Sequence, residues 1–387
     1  MNPAIKTTSK TGATKLTFTL SGVDKSFANS IRRTILTDIP VIVCRVSPNS
    51  ANKCIITVND TDQNNQIVSQ RLSYIPIHKK PATSVTTAGN ADEFTYQNYL
   101  LEIDVENNTN VPLEVTSGDI KIKHKTTGKY LSKEATAELY PPNEITGDYI
   151  GFVMLGPKVA DGLPNKAIKL TCEFDVGTAG ENSGFATGNV SYNNTIDESA
   201  AESALVKEKQ KWKDEGMTAD RIEFQAKNWR LLEQFRIFKP NSFDFWVTSI
   251  GTYTNVELVT SACDIMIARL MKVERSIDEG LLEIMTADCT MQNSYDVILP
   301  GDYTIGCPLE YSMYHKFYER GGMLTFISYN KRHPHDKFGV IRLAYAEPVE
   351  TSTIFGHIKE AITDAIQVFN GILSGFGGRR SSAAAMA

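Results

Sequence analysis

Phe27-Ala28-Asn29-Ser30-Ile31-Arg32-Arg33-Thr34-Ile35-Leu36, running on to Ile39-Pro40, sets the plan of this chain. Phe27, Ile31, Ile35 and Ile39 recur at four-residue steps, a spacing that gathers side chains on one face of an α-helix. Asp24 or Ser26 can cap its start, because a short side-chain oxygen there accepts a free backbone N–H; Pro40 stops it. Just upstream, Leu16, Phe18 and Leu20 alternate with threonines, the pattern of a half-buried strand. The turn Ser21-Gly22-Val23-Asp24 joins strand to helix.

The same order returns late in the chain. Tyr295, Val297 and Leu299 alternate, Pro300-Gly301-Asp302 turns, and Ile305, Leu309, Met313 and Phe317 follow at four-residue steps. Each of those four stands 278 positions beyond its counterpart among Phe27, Ile31, Ile35 and Ile39. Identity between the copies is slight, yet the apolar register coincides. The second copy continues into a strand at 324–327, a polar turn around His333-Pro334-His335-Asp336 and a strand at 340–343. A helix over 353–373, with Ile358, Ile362, Ile366 and Phe369 on one face, closes it. The first copy finds matching pieces only after an interruption: Phe243, Phe245 and Val247 alternate. A helix capped by Thr254 or Asn255 then carries Val259, Ala262, Met266 and Leu270.

These patterns predict an α+β fold of two related strand–helix units, packed as a pseudo-symmetric pair in which each covers the other's apolar stripe. The first unit takes residues 1–45 and 241–275, the second 276–374, with a short connector at 272–280 and a flexible tail at 375–387. Between the parts of the first unit lies an insertion, 46–240, rich in strands at 54–58, 99–105, 112–116, 120–124, 167–175 and 185–192. Pro141-Pro142-Asn143 and Gly156-Pro157 punctuate it. Its last part is a polar helical segment near 197–236, where Ile222, Ala226, Trp229 and Leu232 keep helical spacing.

Composition narrows the class. Of 387 residues, 41% are apolar and 22% charged, which excludes disordered, collagen-like and disulfide-stapled chains. A formal charge of −5 argues against a surface that grips nucleic acid throughout. No run is long and apolar enough for a membrane span, and the polar first ten residues lack a signal-peptide core, so an intracellular protein is expected. Cys44, Cys54, Cys172, Cys263, Cys289 and Cys307 form no closely spaced pair, which removes zinc half-sites and redox motifs. Glycosylation-like tripeptides, such as those beginning at Asn59, Asn107 and Asn193, read as chance matches.

No phosphate loop, nucleophile elbow or paired-His zinc motif occurs. His315, His333 and His335 are the only candidates for a metal-dependent hydrolase; the last two fall in a turn beside Asp336. Asp302 reads first as a helix cap. No catalytic residue is assigned. A strand-rich viral structural or scaffold protein is the alternative reading.

Four stretches resemble one family. The quoted helix resembles the dimerisation signature of the α-type subunit of multisubunit DNA-dependent RNA polymerases: bacterial α, archaeal D, the third-largest eukaryotic subunit. Val68-Ser69-Gln70-Arg71-Leu72-Ser73-Tyr74-Ile75-Pro76-Ile77 is similar to that family's next landmark. Phe243 to Gly251 resembles its return strand. Asp302-Tyr303-Thr304-Ile305-Gly306 is similar to a motif of the smaller partner, archaeal L or the eleventh eukaryotic subunit, with Tyr303 where His is usual and Cys307-Pro308 following. Pro308 is expected in the first helical turn, where a missing N–H costs little. The whole resembles a fusion of both partners, an arrangement known among large DNA viruses.

The resemblance implies a non-catalytic assembly platform for transcription. Its dimer seam would comprise Phe27, Ile31, Ile35, Ile305, Leu309, Met313 and Phe317. Asn29, Arg32 and Arg33 would meet the second-largest polymerase subunit; the matching late positions hold Glu310 and Tyr311. Partners would be the largest and second-largest subunits and small zinc-binding subunits, with neither sequence-specific nucleic acid nor membrane. The location would be intracellular: for a viral protein, the virion and the host cytoplasm, or the nucleus. Some relatives carry a Cys-rich metal loop near 78–95, where this chain has His78, Lys79 and Lys80 and no cysteine. No metal or cofactor is expected.

Overall fold

The computed structural model describes residues 1–9, 15–81, 95–158 and 164–377. It is a mixed α+β structure with several antiparallel sheets. In chain order come β1 (Ala4–Ser9), β2 (Leu16–Ser21) and α1 (Lys25–Thr37). Next are β3 (Val41–Cys44), β4 (Cys54–Asn59), α2 (Asn65–Ser73), β5 (Tyr99–Asn107), β6 (Leu113–Thr116) and β7 (Lys121–His124). After them run α3 (Lys133–Leu139), β8 (Gly151–Leu155), β9 (Lys166–Gly177), β10 (Gly188–Ile196), α4 (Glu198–Asp214) and α5 (Ala219–Leu232). The chain continues with β11 (Phe238–Ser249), α6 (Asn255–Asp278), β12 (Ile284–Thr286), β13 (Ser294–Pro300) and α7 (Tyr303–Met313). Last come β14 (Leu324–Asn330), β15 (Phe338–Tyr345) and α8 (Thr351–Gly375).

Two compact units divide these elements, one built around residues 1–35, 190–248 and 255–377, the other around 36–189 and 249–254. The first holds two four-stranded sheets whose orders are β1-β2-β11-β10 and β12-β13-β15-β14. Strand for strand the plan is the same. β2 and β13 start 278 positions apart, as do α1 and α7. Each sheet pairs its pre-helix strand antiparallel with the return strand, Phe18 opposite Phe245 in one and Asp296 opposite Arg342 in the other.

β10 explains why the contacts divide near residue 189 and not near 240: it hydrogen-bonds to β11 as the fourth strand of the first sheet. The polar helices α4 and α5 then close the link from β10 to β11, held together by buried Ala201, Leu205, Ile222 and Ala226. β1 was not legible, because its residues Ala4-Ile5-Lys6-Thr7-Thr8-Ser9 hold one large apolar side chain. It forms by pairing along β2, from Ala4 opposite Ser21 to Ser9 opposite Thr17. Gly22, at φ 77°, adopts the left-handed conformation there, with the Asn2 carbonyl packed where a Cβ would stand.

Three helix boundaries differ from expectation. α1 ends at Thr37, so Ile39 lies past the helix, buried. α6 runs on to Asp278, so most of the expected connector is helical and only residues 279–283 link it to β12. α7 begins at Tyr303, which puts Pro308 in its second turn rather than its first, and its continuation over Tyr314–Arg320, including Phe317, is π-helical. Of the expected tail, residues 378–387 lie outside the described residues, as do residues 82–94 of the stretch 78–95.

The other unit is organised on β9, which pairs with β3 and β4 in turn and with β5, while β7 extends the sheet beyond β5. A core of Val68, Leu72, Leu101, Ile103, Ile122, Phe152, Ile168 and Leu170 fills it. Cys44, Cys54 and Cys172 belong to this core, with Cys54 directly opposite Cys172. α2, capped by Asn64 Oδ1 accepting from the Ile67 N–H at 2.9 Å, and α3, capped by Ser132, are short helices that periodicity did not reveal.

Candidate functional site

The apolar residues expected at the seam are all buried: Phe27, Ile31 and Ile35 in α1, Ile305, Leu309 and Met313 in α7, and Phe317 just beyond. The Phe27 ring lies 5.3 Å from Phe369 of α8, and Phe18 of β2 lies 5.0 Å from Phe376, edge to face. α8 packs on α6, α7 and β1. Residues from both ends of the sequence thus share one core.

Each helix starts on an aspartate. Asp24 Oδ1 accepts the Ser26 N–H at 2.8 Å, and Asp302 Oδ1 accepts the Thr304 N–H at 3.0 Å, which satisfies donors that the first turn leaves free. The helices run in opposite senses. Arg33, near the end of α1, donates from Nη2 to Asp302 Oδ2 at 2.8 Å. Asp24, at the start of α1, acts electrostatically on Glu310 and Tyr311 farther along α7. Between these ends, the Ser30 hydroxyl lies 2.6 Å from the Thr304 carbonyl oxygen. Gly306 lies directly against the Tyr329 ring, where any larger residue would collide.

The sequence-selected polar residues are therefore distributed unevenly. Asn29 Oδ1 accepts from Arg32 Nε at 3.1 Å and Nη2 at 2.8 Å, making one half-buried polar pair on α1. Arg33 bridges to the late helix, with 39% of its side chain exposed against 36% for Asp302. Burial, with Asp24 nearby, raises the Glu310 carboxyl above its ordinary value. Burial also pushes the Cys307 thiol up to about 11, aided by Glu310, so that thiol is a poor nucleophile.

His315 pairs with Glu319 at 2.7 Å, while the His333 and His335 rings stand 5.0 Å apart and the His333 N–H binds Asp336. Among the described residues, no three His, Cys, Asp or Glu side chains converge to hold a metal ion. No helix of the described residues is long and apolar enough to cross a membrane.

One ion pair escaped sequence reading. Arg342 clasps Asp296 through Nε at 2.7 Å and Nη2 at 2.8 Å, and only 3% of the Asp296 side chain is exposed. It occupies the register in which the first sheet stacks Phe18 on Phe245 at 5.0 Å. The only signal was an aspartate placed inside an apolar alternation.

A family profile described as the RNA polymerase Rpb3/Rpb11 dimerisation domain matches residues 17–270. No curated protein matches the chain.

Proposed function

Because this chain belongs to the RNA polymerase Rpb3/Rpb11 dimerisation domain family, we propose that it is a non-catalytic assembly subunit of a DNA-directed RNA polymerase that carries both members of the dimerising pair. Family membership implies assembly with other polymerase subunits. The finer reading assigns residues 1–45 and 241–275 to the part resembling the third-largest subunit, joined by β10, and residues 276–374 to the part resembling the eleventh. The observation that carries it is the meeting of α1 with α7 through Ser30–Thr304 and Arg33–Asp302. The shared strand order of the two sheets supports it, as do Thr34 and Ser312, equivalent positions that each bury an unpartnered hydroxyl.

On this reading Phe27, Ile31, Ile35, Ile305, Leu309, Met313 and Phe317 form the intramolecular seam. Asn29, Arg32 and Arg33 present a polar edge to the second-largest subunit, where a planar guanidinium binds carboxylates or carbonyls bidentately. The equivalent late edge, Glu310 and Tyr311, differs in charge and suits a different partner, the largest subunit. Small zinc-binding subunits complete the assembly. Catalysis and its metal belong to the large subunits. A fusion of this kind is in keeping with a large DNA virus, which would place the chain in virions and in the infected cell's cytoplasm or nucleus.

The test is the mass composition of the complex captured by a tagged chain from cells that make it. Recovery of both large subunits is expected; capture without any polymerase subunit refutes the assignment. Arg33→Ala is expected to lower recovery of the second-largest subunit while the chain stays folded, and undiminished recovery removes Arg33 from that interface.

A further inference from the structure

α7 contains a proline where a helix ordinarily needs a donor. Residue 308 would give its backbone N–H to the Thr304 carbonyl one turn earlier, and Pro308 has none. Thr304 and Pro308 are both buried, so water is not at hand, and a buried carbonyl left without a donor keeps its full desolvation cost. The missing donor comes from the other half of the chain. Ser30 of α1 places its hydroxyl 2.6 Å from Thr304 O and 2.8 Å from Ser26 O. A hydroxyl has one proton, and the shorter contact is the one across the seam. By the 278-residue offset, Ser30 corresponds to Pro308 itself, and Thr304 to Ser26.

We propose that Ser30 is a pairing-specificity residue: its hydroxyl completes the Pro308-interrupted helix, and so fits α7 to α1 and not to a second copy of α7. This rests on the reading that the two halves pair through these helices. Two late helices set together in the same register would bring Pro308 of each opposite Thr304 of the other, and neither could supply a proton. Asp302 would meet Tyr311 where it now meets Arg33. Two early helices would keep their hydroxyls and could match Arg33 with Asp24. The penalty falls on late–late pairing, and therefore on any association of two chains that exchanges like halves.

The test is hydrogen exchange of the α7 amides in the full chain, as a double-mutant cycle. Ser30→Ala is expected to speed exchange across 303–313 about tenfold, the size of one lost buried hydrogen bond. In a Pro308→Ala chain, where the backbone again serves Thr304, the same change should act less than about threefold. Equal acceleration in both backgrounds, or none in either, overturns the proposal. A second readout addresses specificity. Refolded from denaturant at high concentration, the Pro308→Ala chain should yield a larger dimer fraction than the parent by light scattering; an equal fraction overturns that part. Both measurements use the chain alone. Failure to capture polymerase subunits would refute the proposed function and leave them standing, whereas an uncoupled cycle in a chain that still captures them refutes only this inference.

Discussion

Arg33 bonds to Asp302, and the proposed function gives it a partner subunit as well; the two roles separate by magnitude. Its bond to Asp302 is more than a third exposed at both ends, and an ion pair in that setting contributes roughly 0–1 kcal/mol. Arg33→Ala should therefore shift the urea unfolding free energy by less than about 1 kcal/mol, a loss too small to explain any large defect in assembly. Gly306 behaves oppositely. A side chain there must displace the buried Tyr329 ring, so Gly306→Val should cost about 1–3 kcal/mol by overpacking, seen as a lowered thermal midpoint. At this scale the quoted helix was readable for its apolar face and its arginines. Ser30 was not, because a serine in a helix carries no sign of the carbonyl it will meet 274 residues away. The Asp296–Arg342 clasp was hidden for a related reason: a charge in an alternating strand reads as solvent-facing until its partner strand is known.

Helices and their neighbours carry the larger energies. Phe27 is fully buried against Phe369, and Phe27→Ala should destabilise by about 3–5 kcal/mol through transfer and cavity terms together, measured by denaturant unfolding. α8 also contains a pH-sensitive contact. His357 packs 4.2 Å from the Phe317 ring, its Nδ1 lies 3.0 Å from the Tyr345 hydroxyl, and Glu360 and Lys316 act on it from nearby. Burial holds its pKa below the ordinary 6.5. The unfolded chain then takes up a proton before the folded one does, so this contribution is complete above that value and is lost as pH falls beneath it. The unfolding midpoint should drop as the pH falls below about 6.5, and His357→Phe should flatten part of that slope. His78 of the other unit, also lowered by burial, acts in the same direction. Strand and helix order was legible because periodicity marks each element's buried face. β1, α2 and α3 were not, since short or polar segments take their structure from what they pair with.

For the molecule as a whole, the decisive pattern was a spacing repeated at long range. It foretold two strand–helix sets; it did not foretell that β10 would complete the first sheet, because edge strands have little apolar signature. The shared core leads to a direct expectation. Fragments 1–275 and 276–377, made separately, would each expose an apolar helix face and should aggregate; made together, they should copurify in equal amounts by size-exclusion chromatography. Two well-behaved, non-interacting fragments would contradict a common core.

Residues 279–283 are all that separates α6 from β12. A two-chain assembly drifts apart when it is diluted and needs matched synthesis of both members. On the proposed pairing the joint is unimolecular, so its melting temperature should be the same at nanomolar as at micromolar protein. One messenger then sets a fixed ratio of both halves, however scarce the product.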